Sequence, residues 1–274
     1  ITMVIPFAAG GPTDVLGRVV AARMSELLGQ QVVVENVGGA GGQTGSKRVE
    51  QAKPDGYTFV LGTVGTHAQS QTLSKKPLYN AATDFAPVAL IAEVPIALTA
   101  RKDFPANNLK DFIAYSKANA SKMTFGSAGA GSATHLGCVV ANMAMGTDIV
   151  HVPYKGTGPA MQDLQAGRLD ISCEIVVTAV PQIQAGTVKA IATLSRDRSP
   201  VLPDLPTAFE NGLDIQAYTW TALLFPKGVA APIVEKMRDA ALKAMADPDI
   251  RRQLQTLGAS IVSSDRTTPD YLGK

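Results

Sequence analysis

Short apolar runs typical of buried strands alternate with amphipathic runs typical of helices along nearly the whole chain. ITMVIPF has the pattern of a buried strand, and the next segment, TDVLGRVVAARMSELLG, spaces its apolar residues by three and four, as one face of a helix does. Gly29 follows as the expected C-terminal cap. QQVVVENV, SKRVEQAK and DGYTFVLGTV continue the order. This βαβαβ order predicts an α/β fold with a mostly parallel sheet and helices on both faces.

A second α/β series begins near residue 88, and the 274 residues are enough for two cores. VALIAEVPIALTAR contains Pro95, which indicates two short strands or an edge strand crossing between lobes instead of one long strand. The proline-rich segment 196–212 is typical of a loop or linker. Two helices, broken at Asp247-Pro248, close the chain.

Three segments share one design, in which a strand leads into a glycine-rich turn and then into a helix. They are PFAAGGPTD at 6–14, GSAGAGSATH at 126–135 and PYKGTGPA at 153–160. Glycine permits close backbone approach and leaves the first amides of the helix exposed, and those amides attract anions. Each turn alone is compatible with an ordinary capped βα connection. Three of them, at the carboxyl ends of strands in both series, predict a shared anion site.

Several side chains near these loops have more than one possible role. His67 follows a strand end and either lines the same cleft or lies in solvent. Asp14 and Glu174 could form a salt bridge, cap a helix or bind an ammonium group of the ligand. Tyr154 and Trp220 could pack against the carbon skeleton of a ligand, although core packing is the commoner fate of such residues.

The glycine-rich stretch NVGGAGGQTG at 36–45 is interpreted as a turn at the surface of a lobe. It does not complete a phosphate-binding loop, because Ala40 occupies the place of the first glycine. GAGSAT has Thr134 where a dinucleotide fingerprint needs glycine, and FGSAG has Phe125 where a nucleophile elbow needs glycine.

The remaining composition excludes other classes of protein. A net charge of +2 and 5% aromatic residues argue against a nucleic-acid partner. Scattered histidines and the absence of a CxxC pair argue against a metal site, and we expect no cofactor. No apolar run approaches the ~18–20 residues of a membrane span. The chain opens inside a strand-like run, so we expect a mature product if a signal peptide existed.

The motifs PFAAGGPTDVLGR, ENVGGAGGQTGS, KPDGYTFVLGT, GSAGAGSATHL, HVPYKGTGPAMQDLQAGRLD and PQIQAGTVKAIAT resemble the Bug-type solute receptors of tripartite tricarboxylate transporters. They occur in family order across residues 1–260. The resemblance implies a periplasmic, two-lobed type II binding protein of the Venus-flytrap kind that is not an enzyme. It also implies a small carboxylate ligand, delivered to two membrane subunits of a secondary transporter. We expect a monomer.

The resemblance also implies which residues bind. Loops matching residues 7–14 and 127–135 hold the ligand carboxylate through backbone amides, hydroxyls and ordered water. The expected ligand-binding residues are Phe7, Ala8, Ala9, Gly10, Gly11, Thr13, Asp14, Thr63, His67, Ser127, Ala128, Gly129, Gly131, Ser132, His135, Tyr154, Lys155 and Glu174. Two departures from the family are visible. Alanines replace the prolines that many members have in PFAAGG, and the family usually adds a helix after the position of DYLGK.

Two further expectations concern architecture. Residues 1–98 together with 218–274 are predicted to form one lobe, and residues 99–217 the other. Cys138 and Cys173 are predicted to form a disulfide within the second lobe, because the implied compartment is oxidising. Two buried free thiols are the alternative.

Two other functions remain open from the residues alone. The first is a hydrolase or transferase on the same scaffold, using Ser127 or Ser132 with His135. Ser132 stands three residues before His135 at a helix start, where capping is the simpler role. The second is a sensor domain that feeds a signalling partner.

Overall fold

The computed structural model describes residues 1–272, apart from the side chain of Ser264. The first series forms a βαβαβ unit, as predicted, and a short helix follows it. Its elements are β1 (Thr2–Ile5), α1 (Pro12–Leu28), β2 (Val33–Asn36), α2 (Gln43–Glu50), β3 (Thr58–Thr63) and α3 (Ser70–Leu73). A 3-10 turn at Ala40–Gly42 leads into α2, and a π-helical turn at Gly65–Gln69 leads into α3. Gly29 ends α1 in the left-handed conformation, with φ 64°.

The second series also follows the predicted order. After the long strand β4 (Phe85–Arg101) come α4 (Leu109–Asn119), β5 (Thr124–Ser127), α5 (Ala133–Met145), β6 (Val150–Pro153), α6 (Thr157–Gln165), β7 (Ile171–Ile175), α7 (Val176–Gln184) and β8 (Val188–Thr193). The chain then returns through β9 (Tyr218–Pro226) and ends with α8 (Ala231–Ala246), α9 (Pro248–Thr256), β10 (Ser260–Ile261) and α10 (Pro269–Leu272). Asp247 separates α8 from α9 and caps α9 through its carboxylate.

The strands form one path in the order β2-β1-β3-β9-β4-β7-β5-β6, while β8 and β10 pair with β4. Each end of the path is parallel, since β1 pairs parallel with β2 and β3, and β5 pairs parallel with β6 and β7. The centre is antiparallel, because β9 and β4 run against their neighbours. The α/β class is therefore confirmed, but the sheet is mixed where a mostly parallel one was expected.

β4 is one continuous strand, which corrects the expectation that Pro95 would divide it. Residues 85–95 pair with β9, and residues 96–101 pair with β7 and β8. Pro95 lies opposite Tyr218 as the last pair of the β4–β9 ladder. The amide that proline lacks therefore falls at the changeover between two ladders, where it interrupts neither of them.

Both crossings between the two halves of the sheet lie at this changeover. The Ile96 amide donates to the Ala217 carbonyl (3.1 Å), the Ala217 amide to the Leu194 carbonyl (2.7 Å), and the Leu194 amide to the Ile96 carbonyl (2.7 Å). The two crossings, one in β4 and one in the segment 194–217, are thus hydrogen-bonded to each other. The lobe boundaries near residues 98 and 217 stay a prediction.

The predicted disulfide is confirmed. Cys138 on α5 and Cys173 on β7 are bonded, with their Cα atoms 5.4 Å apart. Both residues are buried, so the bond ties the helix that follows the second glycine-rich loop to the sheet beneath it. Among residues 1–272, no helix combines the length and the apolar character needed to cross a membrane.

Reducing the Cys138–Cys173 bond should lower the free energy of unfolding by about 3–4 kcal/mol, because the bond closes a loop with a sequence separation of 35. Urea unfolding of the oxidised and reduced protein measures the difference. A Cys138→Ala/Cys173→Ala double variant should be insensitive to reductant. Equal unfolding midpoints for oxidised and reduced protein would contradict the expected contribution.

Candidate ligand-binding site

The three glycine-rich loops meet at one cavity between the two halves of the sheet, with an empty volume of about 340 Å³. The first half contributes Phe7, Gly11, Pro12, Thr13, Thr63 and Thr219 to its wall. The second half contributes Ala128, Ser132, Ala133, Thr134, Thr157 and Ile175. The predicted convergence of the loops is therefore present, and the empty volume includes space that is open to solvent.

Helices α1, α5 and α6 all begin at this cavity. Gly11, Thr13, Ala133, Thr134 and Thr157 line it, and their amides have no hydrogen-bond acceptor within residues 1–272. The first amides of a helix lack partners inside the helix and carry the positive end of its dipole. Three helix starts that meet at one cavity give it the character of an anion site.

Hydroxyl groups complete the polar part of the wall. Ser132 Oγ accepts from the His135 amide (3.3 Å), as a helix cap does, and lies 3.2 Å from Thr134 Oγ1. Thr157 Oγ1 is buried and has no hydrogen-bond partner. Burying a hydroxyl without a hydrogen-bond partner costs free energy. Among the wall side chains, Thr157 is therefore the strongest candidate for a hydrogen bond to a ligand.

The twelve residues of the wall carry no charged side chain. Asp14, expected among the binding residues, is directed at its own loop instead. Its carboxylate accepts from the Gly10 amide (3.0 Å), Asn36 Nδ2 (2.9 Å) and Arg18 Nε (3.0 Å). Burial opposes ionisation, but the hydrogen bonds from Arg18, Gly10 and Asn36 outweigh it and hold the pKa of Asp14 below its usual range. Asp14 therefore stabilises the first loop through hydrogen bonds, and Arg18 neutralises its charge.

Glu174 lies on β7 beneath the site and does not line the cavity. Ser172 Oγ donates to its Oε1 (2.9 Å), and Thr178 Oγ1 lies 3.4 Å from its Oε2. Complete burial raises the pKa of Glu174 to about 7, because no cation faces it to offset the lost hydration. Below that pH the side chain is neutral, so it does not repel an anion in the cavity.

The second loop is held in shape by two neighbouring histidines whose rings are tilted against each other. His135 Nδ1 accepts from the Gly131 amide (3.2 Å), and Ser127 Oγ lies 2.6 Å from His151 Nε2. The two rings are 4.1 Å apart, and burial lowers the pKa of His151 to about 4 and also lowers that of His135. Both rings are therefore neutral at pH 7. Ser127, Gly131 and His135 shape the loop without lining the cavity.

His67 is neither in the cleft nor in solvent, so both expectations for it are corrected. Its ring packs against Phe85 (4.7 Å between centroids) and Tyr79 (5.7 Å), and Nδ1 bonds to Thr66 Oγ1 (2.8 Å). Burial lowers the pKa of His67 to about 3. His67 belongs to the π-helical turn after β3 and is not among the residues of the cavity wall.

The other expected residues lie outside the wall, where the two halves touch. Tyr154 donates its hydroxyl to Asp163 (2.6 Å), and Lys155 approaches the first half through its carbonyl. Residues Ala8, Ala9, Gly10 and Gly129 belong to the same rim. Of the expected set, the cavity wall contains Phe7, Gly11, Thr13, Thr63, Ala128 and Ser132.

Six wall residues were missed: Pro12, Ala133, Thr134, Thr157, Ile175 and Thr219. Pro12, Ala133, Thr134 and Thr157 stand inside the glycine-rich motifs, so reading each motif through its first helical turn would have found them. Ile175 and Thr219 come from strands without a motif, and only the tertiary fold brings them to the cavity.

A mixed α/β sheet in two halves with an enclosed site between them is the architecture of solute-binding proteins. The chain belongs to the family described as the tripartite tricarboxylate transporter family receptor, whose model matches residues 16–269. This confirms the family that the motifs indicated, and it is a family of solute-binding receptors.

Known proteins of this family are similar over nearly all of this chain. The UPF0065 protein in the TAR-I ttuE-ttuC' intergenic region of Agrobacterium vitis is 43% identical, over 99% of this chain and 79% of that protein. The structure of the periplasmic binding protein BugD is 40% identical with a TM-score of 0.97, over 100% of this chain and 91% of that one. MatC from Rhodopseudomonas palustris, solved with bound malate, is 40% identical with a TM-score of 0.96, over 100% and 93%.

Glu174→Gln should remove one source of pH-dependent stability. In the parent, an unfolded Glu174 ionises above its ordinary pKa of 4.5 whereas the folded one keeps its proton to about pH 7, so stability falls as pH rises through that window. The rise in the pKa of Glu174 corresponds to a change of at most about 3 kcal/mol in the free energy of unfolding. The stability of the glutamine variant relative to the parent should therefore rise between pH 5 and 7, measured by urea unfolding. A difference that does not change with pH would contradict the buried neutral acid.

Proposed function

We propose that this protein captures a small carboxylate in the cavity, closes around it, and delivers it to a membrane transporter without altering it. The observation that carries the proposal is the set of five unpaired amides, from three helix starts on two halves of the sheet, in a cavity wall without a charged side chain. An anion is the ligand that such a site accommodates best.

The rest of the wall supports an organic acid over an inorganic ion. Phe7, Pro12 and Ile175 give the cavity apolar surface that a carbon skeleton can cover. The threonine hydroxyls can serve as donors to a second carboxylate or to a hydroxyl group on the ligand. The malate bound by the similar protein MatC has this chemistry.

The same contacts support binding over catalysis. Ser132 lines the cavity, but its hydroxyl caps α5 and His135 Nδ1 is occupied by the Gly131 amide. Ser127 bonds to a histidine, but it is buried outside the cavity wall. A hydrolase needs nucleophile and base at the substrate together. The proposed location is the periplasm, and the proposed partners are two membrane subunits that receive the ligand from a monomeric receptor.

In the proposed receptor, one lobe contains residues 1–98 and 218–274, and the other contains residues 99–217. The lobes rotate about the hydrogen-bonded crossing at Ile96, Leu194 and Ala217. A ligand that touches amides of both lobes binds the closed form better than the open form and therefore shifts the population toward closure. Segments that cross between lobes are where such rotations occur.

The direct test is a thermal-shift screen with malate, citrate, adipate and benzoate, with dimethyl malate as the uncharged control. A bound acid at 100 times its Kd should stabilise the fold by roughly 2.7 kcal/mol, and the ester should not. Calorimetry should then give one site, and the acid should be recovered unchanged. Chemical turnover, or equal stabilisation by the ester, would overturn the proposal.

Thr157→Val should weaken binding of the acid found in that screen, because it removes a buried hydroxyl that lines the cavity and lacks a protein partner. The expected loss is about 1.5–3 kcal/mol, or roughly a 10- to 100-fold rise in Kd, as for a hydrogen bond to a charged group. Thr193→Val is the matched control, since Thr193 Oγ1 is also buried and unpartnered but lies outside the cavity wall. Equal Kd values for the two variants would show that Thr157 does not contact the ligand.

A further inference from the structure

The glycine-rich loop 36–45 lies between the two halves of the sheet, which corrects its interpretation as a lobe-surface turn. It does not line the cavity, and the proposed function leaves it without a role. Gly39, Ala40 and Gly41 instead form an outer groove together with Gly129, Ala130 and the segment around Tyr154 from the second half. The loop therefore belongs to the rim of the cleft.

Contacts across this rim are made by backbone against backbone. The Ala8 amide donates to the Lys155 carbonyl (2.9 Å) and so joins the first loop to the third. A Cβ atom added to Gly38 would stand 2.5 Å from that carbonyl oxygen. A Cβ added to Gly41 would overlap the carbonyl oxygen of Ala130. No side chain fits at either position while the halves stay in contact.

The second half presents glycines to the first in the same way. A Cβ on Gly156 would stand 2.8 Å from the Ala8 nitrogen, and one on Gly158 would stand 2.6 Å from the Ala9 oxygen. A Cβ on Gly129 would stand 3.0 Å from the Gly41 nitrogen. We call these five residues the glycine seam: Gly38, Gly41, Gly129, Gly156 and Gly158.

Local backbone conformation does not explain why glycine occupies these places. Gly38, Gly156 and Gly158 are outside the left-handed region, and Gly156 is extended, with φ 169°. A residue with a side chain could adopt those conformations in an isolated half of the molecule. Close approach to the opposite half is therefore what requires glycine at these three positions.

We propose that the glycine seam is the closing contact of the receptor and determines how much of the protein is closed, and hence its affinity, without touching the ligand. The inference rests on the proposed two-lobed receptor. A side chain in the seam holds the halves apart, so the closed fraction falls. The apparent Kd rises by the same factor, because the ligand binds the closed form.

The test follows closure directly with a cross-linker. Ala40 and Ala130 are exposed and face the same groove, so an Ala40→Cys/Ala130→Cys background reports closure through a short thiol cross-linker. The native cysteines are in a disulfide and do not compete. Cross-linking is measured without ligand and with malate, in the background alone and with Gly38→Ala, Gly41→Ala or Gly29→Ala added.

Gly29→Ala is the matched control for Gly41→Ala. Both glycines have φ 64°, with ψ 20° and 24°, so alanine has a similar local cost at either site. A Cβ on Gly29 meets nothing within 4 Å. Gly38→Ala carries no such backbone strain, so it tests the seam even if Gly41→Ala folds poorly. Melting of each ligand-free variant shows that it is folded.

Gly38→Ala should slow cross-linking at least about tenfold with and without malate and raise the malate Kd by a similar factor, whereas Gly29→Ala should change neither by more than about twofold. If Gly38→Ala cross-links as fast as Gly29→Ala, the glycine seam does not control closure. A background that does not cross-link would also contradict the proposal. If malate has no effect on the background but Gly38→Ala still slows cross-linking, the seam stands and malate is excluded as the ligand.

Discussion

The proposed binding site depends on the unpaired amides at the starts of α1, α5 and α6. A helix leaves its first amides without internal partners, and a buried amide without an acceptor costs free energy. Here three such starts meet at one cavity. The buried hydroxyl of Thr157 in its wall also lacks a hydrogen-bond partner. An acceptor with several oxygen atoms satisfies all of these groups at once. The proposed ligand would thereby couple the two halves of the sheet, since neither half supplies the acceptor for the other.

The surrounding charges keep this site favourable to an anion without placing a cation in it. Asp14 is ionised, but Arg18 and two further hydrogen-bond donors balance it. Glu174 is buried without a cation and is neutral below about pH 7. His135 in the second loop and His151 beside it are neutral at pH 7, because burial lowers the pKa of both. Affinity in such a site comes from neutral donors, and closure around the proposed ligand would strengthen each hydrogen bond by lowering the local dielectric constant.

Much of this arrangement could be predicted from sequence, because strand and helix periodicity and glycine-rich turns are local signals. The order of elements, the Cys138–Cys173 bond and the convergence of the three loops were all anticipated. What failed depends on tertiary context. Pro95 was read as a strand break, since nothing local shows that β4 changes partners there. His67 was placed in the cleft, because a π-helical turn that buries the ring leaves no mark in the sequence. Ile175 and Thr219 reach the cavity from strands that carry no motif.

The central claim is that backbone amides of the three helix starts hold the ligand. It is tested most directly by amide NMR of the labelled protein during titration with the acid that binds. The amide protons of Gly11, Thr13, Ala133, Thr134 and Thr157 should shift downfield as they gain an acceptor. The amide of Gly10, already bonded to Asp14 within its own loop, should move much less. Saturable binding that leaves those five amides unshifted would contradict the account.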